Sequence, residues 1–326
     1  MKPPLLSTTV QPTRPAARLT LGTSLYAVGS CFAESITARL RRYLFPVVLN
    51  PYGIVYNPIS AAAMLETDRQ EPQLFLHDGL WRSLGHHSQL AWTSRSRAVQ
   101  LLANAEQFKK QALEDSRWLL LTLGTAQAFT LAGPGQVVAN CHRLPQGLFH
   151  RRLLQPQECL EALRGPLLRW LDADMERQVV LTVSPVRYLR DGLVQNNRGK
   201  AVLLLVCEAL EREHPRIAYF PAYEIVLDEL RSYRYFERDM VHPNSLAVDM
   251  VWQRFAETFL DDSCPPLLAE MDKLLAALEH RAGPRTDLDA LSRKSLQRIK
   301  KLGQQCPQLD MAEWEDAFQA VRVQGA

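Results

Sequence analysis

No long apolar run occurs in this 326-residue chain; nothing reaches the roughly 18–20 residues that crossing a bilayer takes. The first ten residues, Met1 to Val10, contain no apolar core followed by a small-residue cleavage site, so no secretory leader is expected and the reading is a cytoplasmic protein. Cysteine is sparse and scattered. The six, at 31, 141, 159, 207, 264 and 306, form neither a Cys-x-x-Cys pair nor a tight framework, which argues against a disulfide scaffold and for a reducing compartment. Charge of one sign is also lacking. A net charge of +3, with Lys and Arg nearly matched by Asp and Glu, gives no footprint for nucleic acid. There is no internal repeat and no low-complexity tract.

What remains is a chain that is 47% hydrophobic and long enough for one large core with an appendage. Its centre of organisation is Tyr26-Ala-Val-Gly-Ser-Cys-Phe-Ala-Glu34. An apolar run, Leu25 to Val28, meets Gly29 and passes directly into a helical pattern with Ile36 and Leu40 four apart. That is a strand, a tight turn and a helix. Such a turn puts Ser30 and Cys31 at a helix amino end, where free N–H groups and the helix dipole favour an anion.

Downstream, Arg117 to Thr125 and Gln178 to Pro185 are near-continuous apolar runs of strand length, the pattern of strands buried on both faces of a parallel sheet. A shorter strand is expected over Arg216–Pro221. Helices are expected over Ile59–Leu65, Leu101–Leu113, Pro156–Leu171 with an interruption at Gly165-Pro166, Asn197–Arg212 and Ser245–Leu260. Residues 70–95 look like an irregular insertion that covers the sheet end. Strands alternating with helices predict an α/β sandwich whose strand ends carry the ligand. Residues 1–20 read as an extended lead-in, 21–262 as the α/β domain and 263–326 as a helical extension. In that extension the cluster Lys294, Arg298, Lys300 and Lys301 reads as a solvated face.

Two segments carry chemistry. Ser30 and Cys31 are nucleophile-capable. Asp239-Met-Val-His242 sets a carboxylate three residues before an imidazole, close enough to hold the ring in one tautomer while its other nitrogen faces a nucleophile. A thiol at a helix amino end and near a histidine is expected to have a lowered pKa. His142 is the runner-up base or a substrate contact, and Arg187 a candidate for an anionic substrate group. Arg231 and Arg234 are read either that way or as partners of Asp228 and Glu237. The pairs His86-His87 and Cys141-His142 are poorly spaced for a metal, and no metal or cofactor is expected.

Gly29-Ser-Cys-Phe-Ala33, Asn50-Pro-Tyr-Gly-Ile-Val-Tyr-Asn-Pro58, Leu123-Gly-Thr-Ala126, Asn140-Cys-His142, Ser184-Pro-Val-Arg187, Tyr219-Phe-Pro-Ala-Tyr-Glu224 and Asp239-Met-Val-His-Pro243 resemble, in order, the motifs of the bacterial GSCFA-domain family, over roughly residues 20–260. That family is similar to the SGNH, or GDSL, hydrolases. The resemblance implies a three-layer, flavodoxin-like (SGNH-hydrolase-like) sandwich with a mostly parallel sheet, and cleavage or transfer of an acyl ester, on a small molecule or a glycan. Register places Cys31 on the hydrolases' nucleophilic serine, with Ser30 as the competing nucleophile, and Asp239 and His242 on their Asp-x-x-His block. Gly53, after Asn50, corresponds to an oxyanion-hole glycine. Gly124 matches the Gly-x-Asn block in part, because Ala126 replaces the asparagine; Gln127 or Asn140 is then the candidate donor. The alternatives to an enzyme are a binding module for a sugar or acyl group on the same fold, and a scaffold that docks a partner through residues 265–326.

Overall fold

The structure is a computed structural model that describes residues 8–67, 73–133, 135–279 and 288–323. The first seven residues of the expected lead-in lie outside the described residues, as do residues 280–287 of the expected helical extension.

Five strands form a central, wholly parallel sheet: β1 (Leu25–Gly29), β2 (Val47–Leu49), β5 (Trp118–Leu123), β9 (Gln178–Val183) and β10 (Ile217–Phe220). Their order in space is β2-β1-β5-β9-β10. Counted along this sheet alone, the order is 2-1-3-4-5, that of flavodoxin-like doubly wound sheets, and its switch point falls between β1 and β5. Burial on both faces follows from the alternation of side chains along a strand. Leu25, Ala27, Trp118, Leu120 and Val180 join one core; Tyr26, Val28, Leu119, Leu121, Leu123, Val179, Leu181 and Val183 join the other. Every second residue faces a different layer, so the sequence reads as unbroken apolar runs.

Among the described residues, ten α-helices flank the sheet. On the first face lie α1 (Cys31–Arg42), α6 (Ala222–Glu224, continuing through a π-helical turn to Leu230), α7 (Ser245–Phe259), α8 (Cys264–Glu279), α9 (Leu288–Gln305) and α10 (Ala312–Val323). On the second lie α2 (Pro58–Ala63), α3 (Arg95–Asp115), α4 (Pro156–Asp172) and α5 (Gly192–Glu213). Several starts are fixed by side-chain caps: Asn57 accepts the Ser60 N–H at 2.9 Å, and Asn244 accepts that of Ala247 at 3.1 Å. Pro166 does not interrupt α4, contrary to expectation. The buried stripe Leu163, Leu167, Trp170 and Leu171 carries the helix through it, and the Trp170 indole donates to the Leu113 carbonyl at 2.9 Å.

From residue 73 on, the expected irregular insertion forms regular structure, while residues 70–72 lie outside the described residues. A hairpin, β3 (Leu74–His77) with β4 (Leu80–Ser83), extends through an antiparallel bridge from Trp81 to Trp92. It reaches the sheet end where the His87 N–H donates to the Tyr52 carbonyl at 3.0 Å. A second small sheet, β7 (Val137–Val138), β6 (Gln127–Leu131) and β8 (Phe149–Leu153), is antiparallel and was not expected in full. In β8, His150, Arg151 and Arg152 are exposed, so that segment lacks apolar alternation. Among the described residues no helix is long and apolar enough to cross a membrane.

Candidate active site

The carboxyl ends of β1 and β5 meet at the switch point, where Gly29 pairs with Thr122. Gly29 has φ +146°, and a β-carbon on it would lie 2.1 Å from the Thr122 carbonyl oxygen of β5. Only glycine fits. Asn50 locks the turn: its Oδ1 accepts the Gly29 N–H at 2.8 Å while its Nδ2 donates to the Gly29 carbonyl at 3.1 Å. Asn50 is buried and itself sits at φ +45°. It acts as a clamp on the turn.

Ser30 and Cys31 emerge from this turn in different directions. Ser30 caps α1 without a side-chain hydrogen bond, is 2% exposed, and its Oγ has no partner among the described residues. It packs against Gly124, where an added β-carbon would lie 3.1 Å from the Ser30 Cβ. Cys31 opens α1 and is partly exposed. Its thiol pKa is raised rather than lowered as expected. Burial and the Glu34 carboxylate push it up, against the Cys31 and Phe32 backbone N–H groups and the charge of Lys200, which pull it down. The helix end is present, but its effect is outweighed.

The two glycines expected as oxyanion donors are both occupied. The Gly53 N–H donates to the Asn50 carbonyl at 2.7 Å, and a β-carbon on Gly53 would meet the His87 Cβ at 2.2 Å. The Gly124 N–H donates to the Tyr56 carbonyl at 2.9 Å. Gln127 is buried in β6, its backbone N–H donating to Thr125 Oγ1 at 3.1 Å. Donors with no acceptor inside the helix are those of its first turn, Cys31 and Phe32.

Asp239 and His242 form the pair that their spacing implies. Asp239 Oδ2 lies 2.7 Å from His242 Nδ1, and Oδ1 accepts the N–H groups of Val241 at 2.8 Å and His242 at 3.0 Å. These bonds hold the Asp239 carboxyl down at about 2. The His242 side chain is 47% exposed, so Nε2 remains approachable. Arg187, the candidate for an anionic group, fastens this loop to the extension of β9. Its guanidinium donates to the Met240 carbonyl at 3.1 Å and lies 4.1 Å from the Phe236 ring centroid, and its N–H donates to the Val241 carbonyl at 3.2 Å. In turn, the N–H of Ser184, at the end of β9, donates to the Leu123 carbonyl at 2.8 Å. The histidine loop and the cysteine turn thus belong to the same edge of adjoining strands, although no hydrogen bond joins the ring to Cys31 or Ser30 among the described residues.

His142 is held by the hairpin that covers the sheet end. Its Nε2 lies 2.7 Å from the Ser83 carbonyl, which can only accept, so Nε2 carries the proton and the buried Nδ1 is bare. Burial lowers its pKa. Asn140 spends its Oδ1 on the His142 N–H at 2.8 Å. Arg234 donates to the Tyr235 hydroxyl at 3.0 Å, and neither it nor Arg231 forms an ion pair with Asp228 or Glu237 among the described residues. No group of three or more His, Cys, Asp or Glu among the described residues is placed to hold a metal ion.

Lys200 is the residue that reading the motifs missed. It is 1% exposed within α5, and its Nζ donates to the Gly124 carbonyl at 2.5 Å and to the Ser184 carbonyl at 2.6 Å. Burial lowers its pKa to about 7. A signal was present: Asn196, Gly199, Lys200, Leu203, Cys207 and Leu210 fall on one helical stripe, and a lysine on a buried stripe needs a reason.

Compared with known proteins, the chain matches the model of the GSCFA family over residues 24–255. No curated protein matches it.

Proposed function

The chain belongs to the GSCFA family, and from that premise and the geometry of the sheet edge we propose that it is an SGNH-hydrolase-like enzyme that hydrolyses an acyl ester or transfers its acyl group, esters on carbohydrates included. The observation that carries this reading is the Asp239–His242 pair, Nδ1 engaged at 2.7 Å and the ring half exposed, on the strand edge that also presents Cys31.

In this mechanism the Cys31 thiol gives its proton to His242 Nε2, and the sulfur attacks the ester carbonyl. Asp239 holds the ring and stabilises the imidazolium. The carbonyl oxygen becomes an oxyanion beside the first-turn N–H groups of α1. Collapse expels the alkoxide, which takes the proton from His242 and leaves a thioester on Cys31. Water or a second alcohol, deprotonated by the same ring, then releases the acyl group. The raised thiol pKa fits this division of labour, since a protonated thiol at neutral pH requires a base. Cys31 is preferred to Ser30 because Ser30 is turned against Gly124 and away from solvent.

The test is incubation with short p-nitrophenyl esters and, separately, with a thiol-directed electrophile read by peptide mass spectrometry. Turnover that disappears in Cys31→Ala and in His242→Ala, with labelling at Cys31, supports the reading. Loss of turnover in Ser30→Ala alone transfers the role. A second reading, a non-catalytic sugar- or acyl-binding module, draws on Ala126 in place of an amide donor and on the engaged N–H groups of Gly53 and Gly124. Ligand binding that survives both Cys31→Ala and His242→Ala, without turnover in the unmodified chain, favours it.

A further inference from the structure

A lysine buried among carbonyls with no carboxylate beside it is an expensive arrangement, and Lys200 is one. Its ammonium sits on the carbonyls that end β5 and continue β9, Gly124 and Ser184. Gly124 in turn packs on Ser30, the residue before Cys31. No salt bridge reaches Lys200 among the described residues; the Tyr223 ring lies 5.8 Å from its Nζ. The charge it feels is that of Cys31, and the effect is mutual. Cys31 also faces Glu34 on its own helix, which opposes a negative sulfur, and Tyr56 on the neighbouring loop, whose hydroxyl is held in the neutral form by burial and by the Cys31 charge. Two carbonyls occupy two of the three ammonium N–H groups, and no third acceptor is present among the described residues.

We propose that Lys200 is a positioning residue of the Cys31 site: a buried cation, pinned at the ends of β5 and β9, that stabilises the negative charge on the Cys31 sulfur once its proton has left. The inference rests on the reading of Cys31 as the nucleophile. Lys200 acts in its protonated form, by charge alone, and forms no bond to substrate; the proton of the thiol goes to His242. It supplies from beneath the turn the charge stabilisation that an exposed histidine on a separate loop does not. The cation and the sulfur anion favour each other, so loss of the ammonium's proton discourages the thiolate, and loss of the thiol's proton helps the ammonium keep its own.

The test is the pH dependence of iodoacetamide labelling in the full chain, read at Cys31 by peptide mass spectrometry, with partly exposed Cys141 as internal reference. In folded Lys200→Met the Cys31 midpoint is expected to rise by about one pH unit or more, slowing labelling below the midpoint about tenfold, with Cys141 unchanged. An unmoved Cys31 midpoint overturns the proposal. Should Lys200→Met fail to fold, the reciprocal measurement serves: nuclear magnetic resonance of isotope-labelled lysines, comparing the unmodified chain with Cys31→Ser. Lys200 is expected to lose its proton at lower pH once the thiol is gone, and an identical titration overturns the idea. Neither readout needs an ester, so a chain without turnover still tests the pair, and an active enzyme in which the thiol ignores Lys200 refutes only this inference.

Discussion

Asp239 accepts three hydrogen bonds from the loop that it anchors, and each favours its ionised form. Its carboxyl is lowered from 3.8 to about 2, so the stabilisation that it gives the loop is complete above about pH 4 and is lost as pH falls toward 2. Hydrogen exchange at the Val241 and His242 amides is expected to accelerate across that interval, and Asp239→Asn to remove the transition. If the dyad is catalytic, Asp239→Asn also lowers kcat/KM by roughly a thousand- to ten-thousand-fold without unfolding the chain, which steady-state ester kinetics measure. Glu34 acts in the opposite sense on Cys31. Glu34→Gln is expected to speed Cys31 alkylation below its midpoint, by less than about tenfold because Glu34 is exposed and screened. The Asp239–His242 pair was legible because its geometry is local, an Asp and a His three positions apart in one loop. Lys200 and Arg187 were not, because their carbonyl partners lie up to 76 and 53 residues away, and carbonyls leave no trace in side-chain identity.

At the scale of elements, the edge is built from turns held by particular contacts. Gly29→Ala places a methyl group against the Thr122 carbonyl at a backbone angle hostile to L side chains. Urea unfolding is expected to show a loss of about 3 kcal/mol or more, among the larger costs of a single substitution. Arg187→Ala removes the guanidinium tie to the histidine loop and leaves only the backbone hydrogen bond from residue 187 to the Val241 carbonyl. Because Arg187 contacts the loop backbone and the Phe236 ring, the expected outcome is a fall in kcat with little change in KM, together with faster exchange at Val241. The strands of the central sheet were readable as apolar runs because both faces are covered. The two antiparallel side sheets were not: β3 and β4 are four residues each, β7 is two, and β8 turns His150, Arg151 and Arg152 to solvent. Their pairing depends on partners that no local pattern reveals. The same limit hid the use of the motif Asn50 to Pro58. Its glycine and asparagine announced a constrained loop, but whether its N–H groups faced a ligand or its own carbonyls depended on the fold.

Across the whole molecule, the helices after residue 263 continue the main core. One apolar cluster runs from Leu19 and Leu25 through Phe32, Leu40 and Phe259 to Met271, Ile299, Trp314 and Phe318. Polar ties follow the same route: the Tyr43 hydroxyl donates to Asp272 at 2.7 Å, Arg42 pairs with Glu279 at 2.9 Å, and Gln308 donates to the Leu21 carbonyl at 3.1 Å. Amphipathic pattern identified these helices, but not which surface they cover, and the surface is the outer face of the layer that holds α1. Among the described residues, eleven buried apolar side chains lie from Cys264 to Phe318. At roughly 1.5–3 kcal/mol each, their burial outweighs the ~5–15 kcal/mol by which a folded chain is usually stable. Removal of residues 264–326 is therefore expected to leave a chain that does not unfold cooperatively and that aggregates through the uncovered faces of α1 and α7. Calorimetry of the full chain should show one transition shared by both parts. A truncated chain that keeps the full chain's melting temperature would mean instead that the last three helices are a separable module, free to serve a partner. The shared transition would carry a further consequence, because helix α1 begins at Cys31: disturbance of the carboxyl-terminal helices would then reach the thiol through the helix that presents it.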